Sequence, residues 1–307
     1  MRPEIEKIQQ MMESADYVTD PAIATSVHLA MTLKTPLLIE GHAGVGKTEV
    51  AKVMARMLHA NLIRLQCYEG LDAAQALYEW NYPKQLLHIK LEESTDHSLA
   101  QKEAAIFSEP FLIRRPLLPA IRQDGKPPVL LIDEVDRADE EFEAFLLEVL
   151  SEFQVTIPEI GTIKATHPPY VILTSNRVRE LSDALRRRCL YLWVDFPGFD
   201  KEVRIVMRKV PGVNEALARQ ISRFMESLRT IRLAKVPGVA ETLDWAQALA
   251  SLHADHIDEE LVVETLGCVL KDADDVKRFK RELLLEGAPG SPAGQAIVAA
   301  AAKHLAG

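Results

Sequence analysis

The sequence predicts an α/β fold: a five-stranded parallel sheet with helices on both faces, followed by an all-helical domain. Three observations point there. Residues 41–48 read Gly-His-Ala-Gly-Val-Gly-Lys-Thr and match the phosphate-loop pattern G-x-x-x-x-G-K-[ST] at every fixed position. Short apolar or β-branched runs alternate with helical stretches as far as Val194, as in a parallel sheet. Beyond Gly198 the strand signal fades, and helical periodicity carries on to about Lys280.

The elements follow in order. Residues 4–16 and 21–33 are helical in period, and Asp20 ahead of Pro21 is the expected N-cap between them. The run Pro36–Ile39 leads into the glycine loop, and the helix Glu49–His59 leaves it. Strand-like runs recur at Asn61–Cys67, Val129–Ile132, Tyr170–Thr174 and Leu190–Val194. Two segments break the alternation. Residues 69–112 are long, polar and mixed, with Trp80, Tyr82 and Pro83. Residues 153–166 alternate about Pro158-Glu159-Ile160-Gly161, a hairpin signal. Both read as functional insertions, with a plain surface loop and hairpin as the alternative. The expected domains are an α/β nucleotide-binding domain over 1–197 and an all-helical lid over 198–284. Residues 285–307 then supply a linker (Glu286–Pro292) and an Ala-rich helix (Ala293–Leu305).

Bulk properties narrow the class. The 307 residues, 48% hydrophobic and 26% charged, suffice for two domains with a substantial core. A net charge of −9 argues against a general grip on nucleic acid, which needs a basic footprint. Cys67, Cys189 and Cys268 are widely spaced and odd in number, neither a disulfide framework nor a metal spacing, so a reducing cytoplasm is expected. The N-terminal residues lack the apolar core of a signal peptide, and no apolar run is long enough to cross a bilayer. The histidines, His88 and His97 among them, show no ligand spacing, and Trp245 is expected in a core.

The chemistry lies in four places. In the loop, Gly41, Gly44 and Gly46 let backbone N–H groups converge on phosphate, flanked by His42, Ala43 and Val45. Lys47 reaches the β/γ oxygens, Thr48 offers its hydroxyl to Mg²⁺, and Glu49 follows in the helix. Val129–Ile132 runs into Asp133 and Glu134: Asp133 suits the metal shell, and Glu134 suits orienting and polarising an attacking water. Val171–Ser175 ends at Asn176, either a loop cap or an amide for the γ-phosphate or the water. Arg186, Arg187 and Arg188 are either a solvated helix end or the source of an arginine finger toward a neighbouring subunit. Arg188 and Arg186 are the two candidates. Gln66, at the end of the second strand, is either a plain polar residue of the loop or a hydrogen-bond partner that switches Glu134 off until a partner binds.

Taken in this order and spacing, these motifs resemble an AAA+ ATPase, and more narrowly the MoxR family. Thr35–Val53, Pro127–Glu152, Val155-Thr156-Ile157 and Leu173–Arg177 carry the likeness. The resemblance implies a homo-hexameric ring with ATP and Mg²⁺ between subunits. It implies that Tyr17 and Val18 line the adenine pocket, that Arg137 joins the subunit interface, and that the two insertions face the ring axis and remodel a protein client. Leu181–Cys189 is similar to the members paired with a von Willebrand factor A domain protein, which help to mature metalloenzymes. One departure stands out. Where the family often places a lid arginine that senses ATP, the segment reads Pro237-Gly238-Val239-Ala240-Glu241, and a carboxylate cannot grip phosphate. Chaperone-like remodelling is the favoured function. A nucleotide-gated switch with slow turnover and a nucleic-acid motor or loader are the alternatives.

Overall fold

A computed structural model describes residues 2–91, 98, 101, 105–123 and 125–285. The expected linker and helix of 286–307, part of the insertion 69–112, and His97 lie outside the described residues. The chain divides into two compact units. Of the described residues, one comprises those within 2–15, Thr19–Gly41 and Lys47–Trp193; the other comprises Asp16–Val18, His42–Gly46 and 194–285.

The first unit opens with helices α1 (Pro3–Ser14) and α2 (Pro21–Leu33). The Asp20 carboxylate accepts from Ile23 N–H at 2.9 Å, and Pro21 fills the first helical position, where no N–H is needed. Then come β1 (Leu37–Gly41), α3 (Lys47–Leu58), β2 (Leu62–Gln66), β5 (Val129–Asp133), β8 (Tyr170–Ser175) and β9 (Leu190–Val194). These five strands form one parallel sheet in the order β2-β5-β8-β1-β9. β1 and β5 are buried at every position, which is why each opens on a continuous apolar run, Leu37–Ile39 and Val129–Ile132, before the buried Glu40 and Asp133. Edge strand β2 buries only Leu65 fully, so its text is more mixed.

Side chains alternate between the sheet's faces. Leu38, Leu130, Ile132 and Leu173 join one core with Leu117 and Leu118 of α6 (Leu117–Ile121) and Phe142, Leu146 and Val149 of α7 (Glu140–Glu152). Helix α3 packs on β1, β2, β5 and β8, with α1 beside it and α2 against α1 and β1. Within the first insertion, α4 (Ala73–Leu77), β3 (Tyr78–Trp80), α5 (Tyr82–Leu91) and β4 (Leu112–Arg114) are described, β3 and β4 pairing antiparallel. β6 (Gln154–Ile157) and β7 (Gly161–Lys164) form an antiparallel hairpin, and α8 (Asp183–Arg187) precedes β9.

The second unit is helical beyond β9: α9 (Phe199–Lys209), α10 (Glu215–Leu228), α11 (Val239–Ser251), α12 (Glu259–Val269) and α13 (Ala273–Leu285). Its core centres on Phe224, Trp245 and Phe279, each at most 2% exposed, with ring centroids 4.7 and 5.9 Å apart. A buried ion pair joins α9 to the end of α10: Glu202 accepts from Arg229 at 2.6 and 2.7 Å and from the Thr242 hydroxyl at 2.7 Å. The expected core position of Trp245 is thus observed, with its indole N–H on Thr265.

Candidate functional site

In a parallel sheet the carboxyl ends of the strands gather the polar residues that follow each apolar run. Here the ends of β1, β2, β5 and β8 and the start of α3 bring together Lys47, Thr48, Gln66, Asp133, Glu134 and Asn176. Lys47 is 6% exposed, and its ammonium donates to Gly41 O at 2.8 Å and to Asn176 Oδ1 at 2.7 Å. Burial lowers its pKa from the ordinary lysine value, while Asp136, Asp133 and Glu134 oppose that shift. Glu49 spends its carboxylate on its own helix, on Arg56 at 2.9 Å and Lys52 at 3.5 Å.

Asp133 Oδ1 accepts from the hydroxyls of Thr48, at 3.0 Å, and Thr174, at 2.5 Å. A hydroxyl beside a buried carboxylate is a hard-oxygen pair. It fits Mg²⁺, which takes one or two protein oxygens and leaves its other positions to water and phosphate. Glu134 sits one residue past β5 in the left-handed region, φ 54°, an uncommon conformation for a residue with a Cβ. Its N–H is fixed by Thr174 Oγ1 at 2.9 Å. Its carboxylate accepts from Arg137 Nε at 3.0 Å, Gln66 Nε2 at 3.2 Å and Asn176 Nδ2 at 3.4 Å. Of the two roles open to Gln66, the hydrogen bond to Glu134 is therefore the one present. Arg137, expected at a subunit interface, is paired within its own chain.

In the second unit, residues 42–46 pack against the start of α11. Gly44 and Gly46 have φ of +76° and +93°, open to glycine and strained for other residues. The Gly44 carbonyl accepts from Val239 N–H at 2.9 Å and Ala240 N–H at 3.2 Å, so it serves two of the donors that begin α11. Glu241 Oε2 takes a third, Gly238 N–H, at 2.8 Å. Glu241 is thus a helix cap. A Cβ at Gly238 would lie 2.7 Å from Ala43 O and 2.8 Å from Gly44 C, so only glycine fits. His42 stacks on Phe196 with centroids 4.7 Å apart. Tyr17 is half-buried, whereas Val18 lines an open cleft of about 550 Å³ with Val203, Arg204 and Met207 of α9.

The three arginines diverge. Arg186 lies 3.9 Å from the buried Glu40 and over the Tyr191 ring, Arg188 donates to Leu147 O at 2.6 Å, and Arg187 is exposed. Sequence reasoning missed four contributors: Arg64, Thr174, Asp136 and Glu40. Asp136 anchors the strand end beyond β8, accepting from Asn176 N–H at 3.1 Å and Val178 N–H at 2.8 Å. Glu40 accepts from the Tyr191 hydroxyl at 3.0 Å. Strand alternation was the available signal for Arg64, which shares a face of β2 with Gln66, opposite Asp133 in register.

The family described as AAA domain, dynein-related subfamily, matches residues 36–189. The chain is 23% identical over 214 residues to the denitrification regulatory protein NirQ of Pseudomonas aeruginosa, an alignment covering 67% of this chain and 72% of NirQ. It is 25% identical over 211 residues to the Holliday junction branch migration complex subunit RuvB of Thermotoga petrophila, covering 65% and 63%. Among solved structures, a point mutant of Thermotoga maritima RuvB aligns over 99% of this chain and 86% of its own, at 19% identity and a TM-score of 0.49.

Proposed function

Because the chain belongs to the AAA domain family, dynein-related subfamily, we propose that it is a ring-forming ATPase of the MoxR type, remodelling a protein client in the cytoplasm. The observation that carries this reading is the hydrogen-bonded set Lys47–Asn176–Glu134 beside Thr48–Asp133. In the proposed reaction the loop 41–48 cradles the phosphates and Lys47 grips the β/γ oxygens. Glu134 takes a proton from the attacking water as the bond from the γ-phosphorus to the ADP oxygen breaks, and Asn176 orients that water or the γ-phosphate. Mg²⁺ held by Thr48 and Asp133 would neutralise charge on the phosphate oxygens. Tyr17 and Val18 take the adenine side. Arg188, or Arg186, supplies the finger to a neighbouring subunit of a hexamer. The insertions 69–112 and 153–166 face the client, and the domains run 1–197, 198–284 and 285–307.

The NirQ relative's name, a denitrification regulatory protein, favours a regulatory role exerted on other proteins. A von Willebrand factor A domain protein is the partner we would test first, by ATP-dependent capture. A second reading, a nucleotide-gated switch with slow turnover, is favoured by Glu241, whose carboxylate caps α11 where a phosphate-sensing arginine would stand. The RuvB relative's name speaks for a motor on DNA, and the net charge of −9 speaks against one. Phosphate release from Mg-ATP by the purified chain tests the assignment. Sustained release supports the ATPase, nucleotide binding without release transfers the case to the switch, and absence of binding overturns both.

A further inference from the structure

Asp133 is 3% exposed, and its two oxygens are held differently. Oδ1 faces the hydroxyls of Thr48 and Thr174. Oδ2 is gripped by the Arg64 fork, Nε at 3.0 Å and Nη2 at 2.6 Å. The same Nη2 also donates to Gln66 Oε1, and Gln66 Nε2 donates to Glu134 Oε2 at 3.2 Å. One guanidinium therefore links the carboxylate suited to a metal with the amide that restrains the carboxylate suited to a water. The proposed reaction leaves Arg64 without a task.

A carboxylate this buried is costly without a positive partner. Thr48 and Thr174 bring dipoles only. Lys47 adds a favourable charge interaction with Asp133, and Arg64 is a cation that grips it directly, through two N–H groups on Oδ2. The Arg64 side chain is 52% exposed, so it has water to move into. A divalent ion arriving at Asp133 meets a like charge already seated on one oxygen.

We propose that Arg64 is an internal counter-ion: it holds Asp133 while no divalent metal is bound, and metal loading displaces it. As it leaves, Gln66 loses a tether and loosens its hold on Glu134, so that metal arrival frees the water-activating group. This rests on the reading of Thr48 and Asp133 as the metal pair. Arg64 is then a positioning residue, with no contact to the reacting atoms.

The test is a Mg²⁺ titration of fluorescent-ADP binding to the full chain, for the parent, Arg64→Gln and Arg64→Lys. Removing the competing cation should lower the Mg²⁺ needed for half-saturation roughly three- to tenfold in Arg64→Gln, with Arg64→Lys between it and the parent. A second readout needs no nucleotide. In chelator, Arg64→Gln should melt below the parent, and Mg²⁺ alone should recover more of its Tm than it adds to the parent's. An unchanged or higher Mg²⁺ requirement in Arg64→Gln overturns the proposal. Should that variant not fold, Arg64→Lys decides: a requirement below the parent's supports the counter-ion, and one equal or higher overturns it. A parent that binds no nucleotide overturns the ATPase reading itself. Normal binding with an unmoved Mg²⁺ requirement overturns the counter-ion alone.

Discussion

Burial sets the reactivity of individual side chains here. Cys67 is 1% exposed, and burial, with help from Asp133, Asp136 and Glu134, pushes its thiol from 9.0 up to about 12. Burial alone pushes Cys189 to about 12. At pH 8 the native thiolate fraction at each is then on the order of one in ten thousand. Both should resist iodoacetamide in the folded protein and react on unfolding, as read by mass spectrometry; rapid native labelling of either would contradict the burial. The pH dependence has a definite sign. The folded pKa lies above the unfolded one, so the unfolded chain ionises first, and stability should fall as pH rises from about 9 toward 12. The pair Glu202–Arg229 is buried on both sides, at 1% and 8% side-chain exposure. Arg229→Ala leaves the buried Glu202 without its ion partner, with the Thr242 hydroxyl still on it, and should cost about 3–5 kcal/mol in denaturant unfolding. A loss under about 1 kcal/mol would mean that water reaches the site.

Elements differ in how openly their sequences announce them. β5 and β8 are buried nearly throughout, so each reads as an unbroken apolar run that stops where the polar site residues begin. The glycine loop was legible for the same local reason: its backbone needs glycine at positive φ. Arg64 was legible only in part: strand alternation puts it on one face of β2 with Gln66, but its contact is not local. Its partner sits on another strand, and only the pairing of Gln66 with Asp133 brings them together. The docking of Gly44 on the start of α11 was equally hidden. It joins loop and helix segments far apart in the chain through backbone atoms that carry no side-chain signature. That contact makes a steric prediction. Gly238 has an ordinary φ of −92°, so Gly238→Ala is limited by space alone. It should destabilise the chain by about 1–3 kcal/mol, measured by thermal or urea unfolding, and wild-type stability would contradict the close approach.

At the scale of the whole molecule, the domain plan read from the sequence follows linear order, whereas the compact units do not: residues 16–18 and 42–46 group with the C-terminal unit. The sequence shows where strands give way to helices; it does not show which unit a connecting loop packs with. No helix among the described residues is long and apolar enough to cross a membrane. The proposed ring makes a further prediction. Subunits carrying Lys47→Ala, mixed with subunits carrying Arg188→Ala, should regain part of the ATPase activity that each lacks alone, if the finger acts across an interface. No recovery at any ratio would remove Arg188 from that role. The central claim is that Glu134, held by Gln66, Arg137 and Asn176, activates the water that cleaves ATP. Its most direct test is single-turnover hydrolysis of bound ATP by Glu134→Gln beside the parent. Nucleotide should bind with similar affinity while hydrolysis slows about 10²- to 10⁴-fold, and hydrolysis at the parent's rate would contradict the claim.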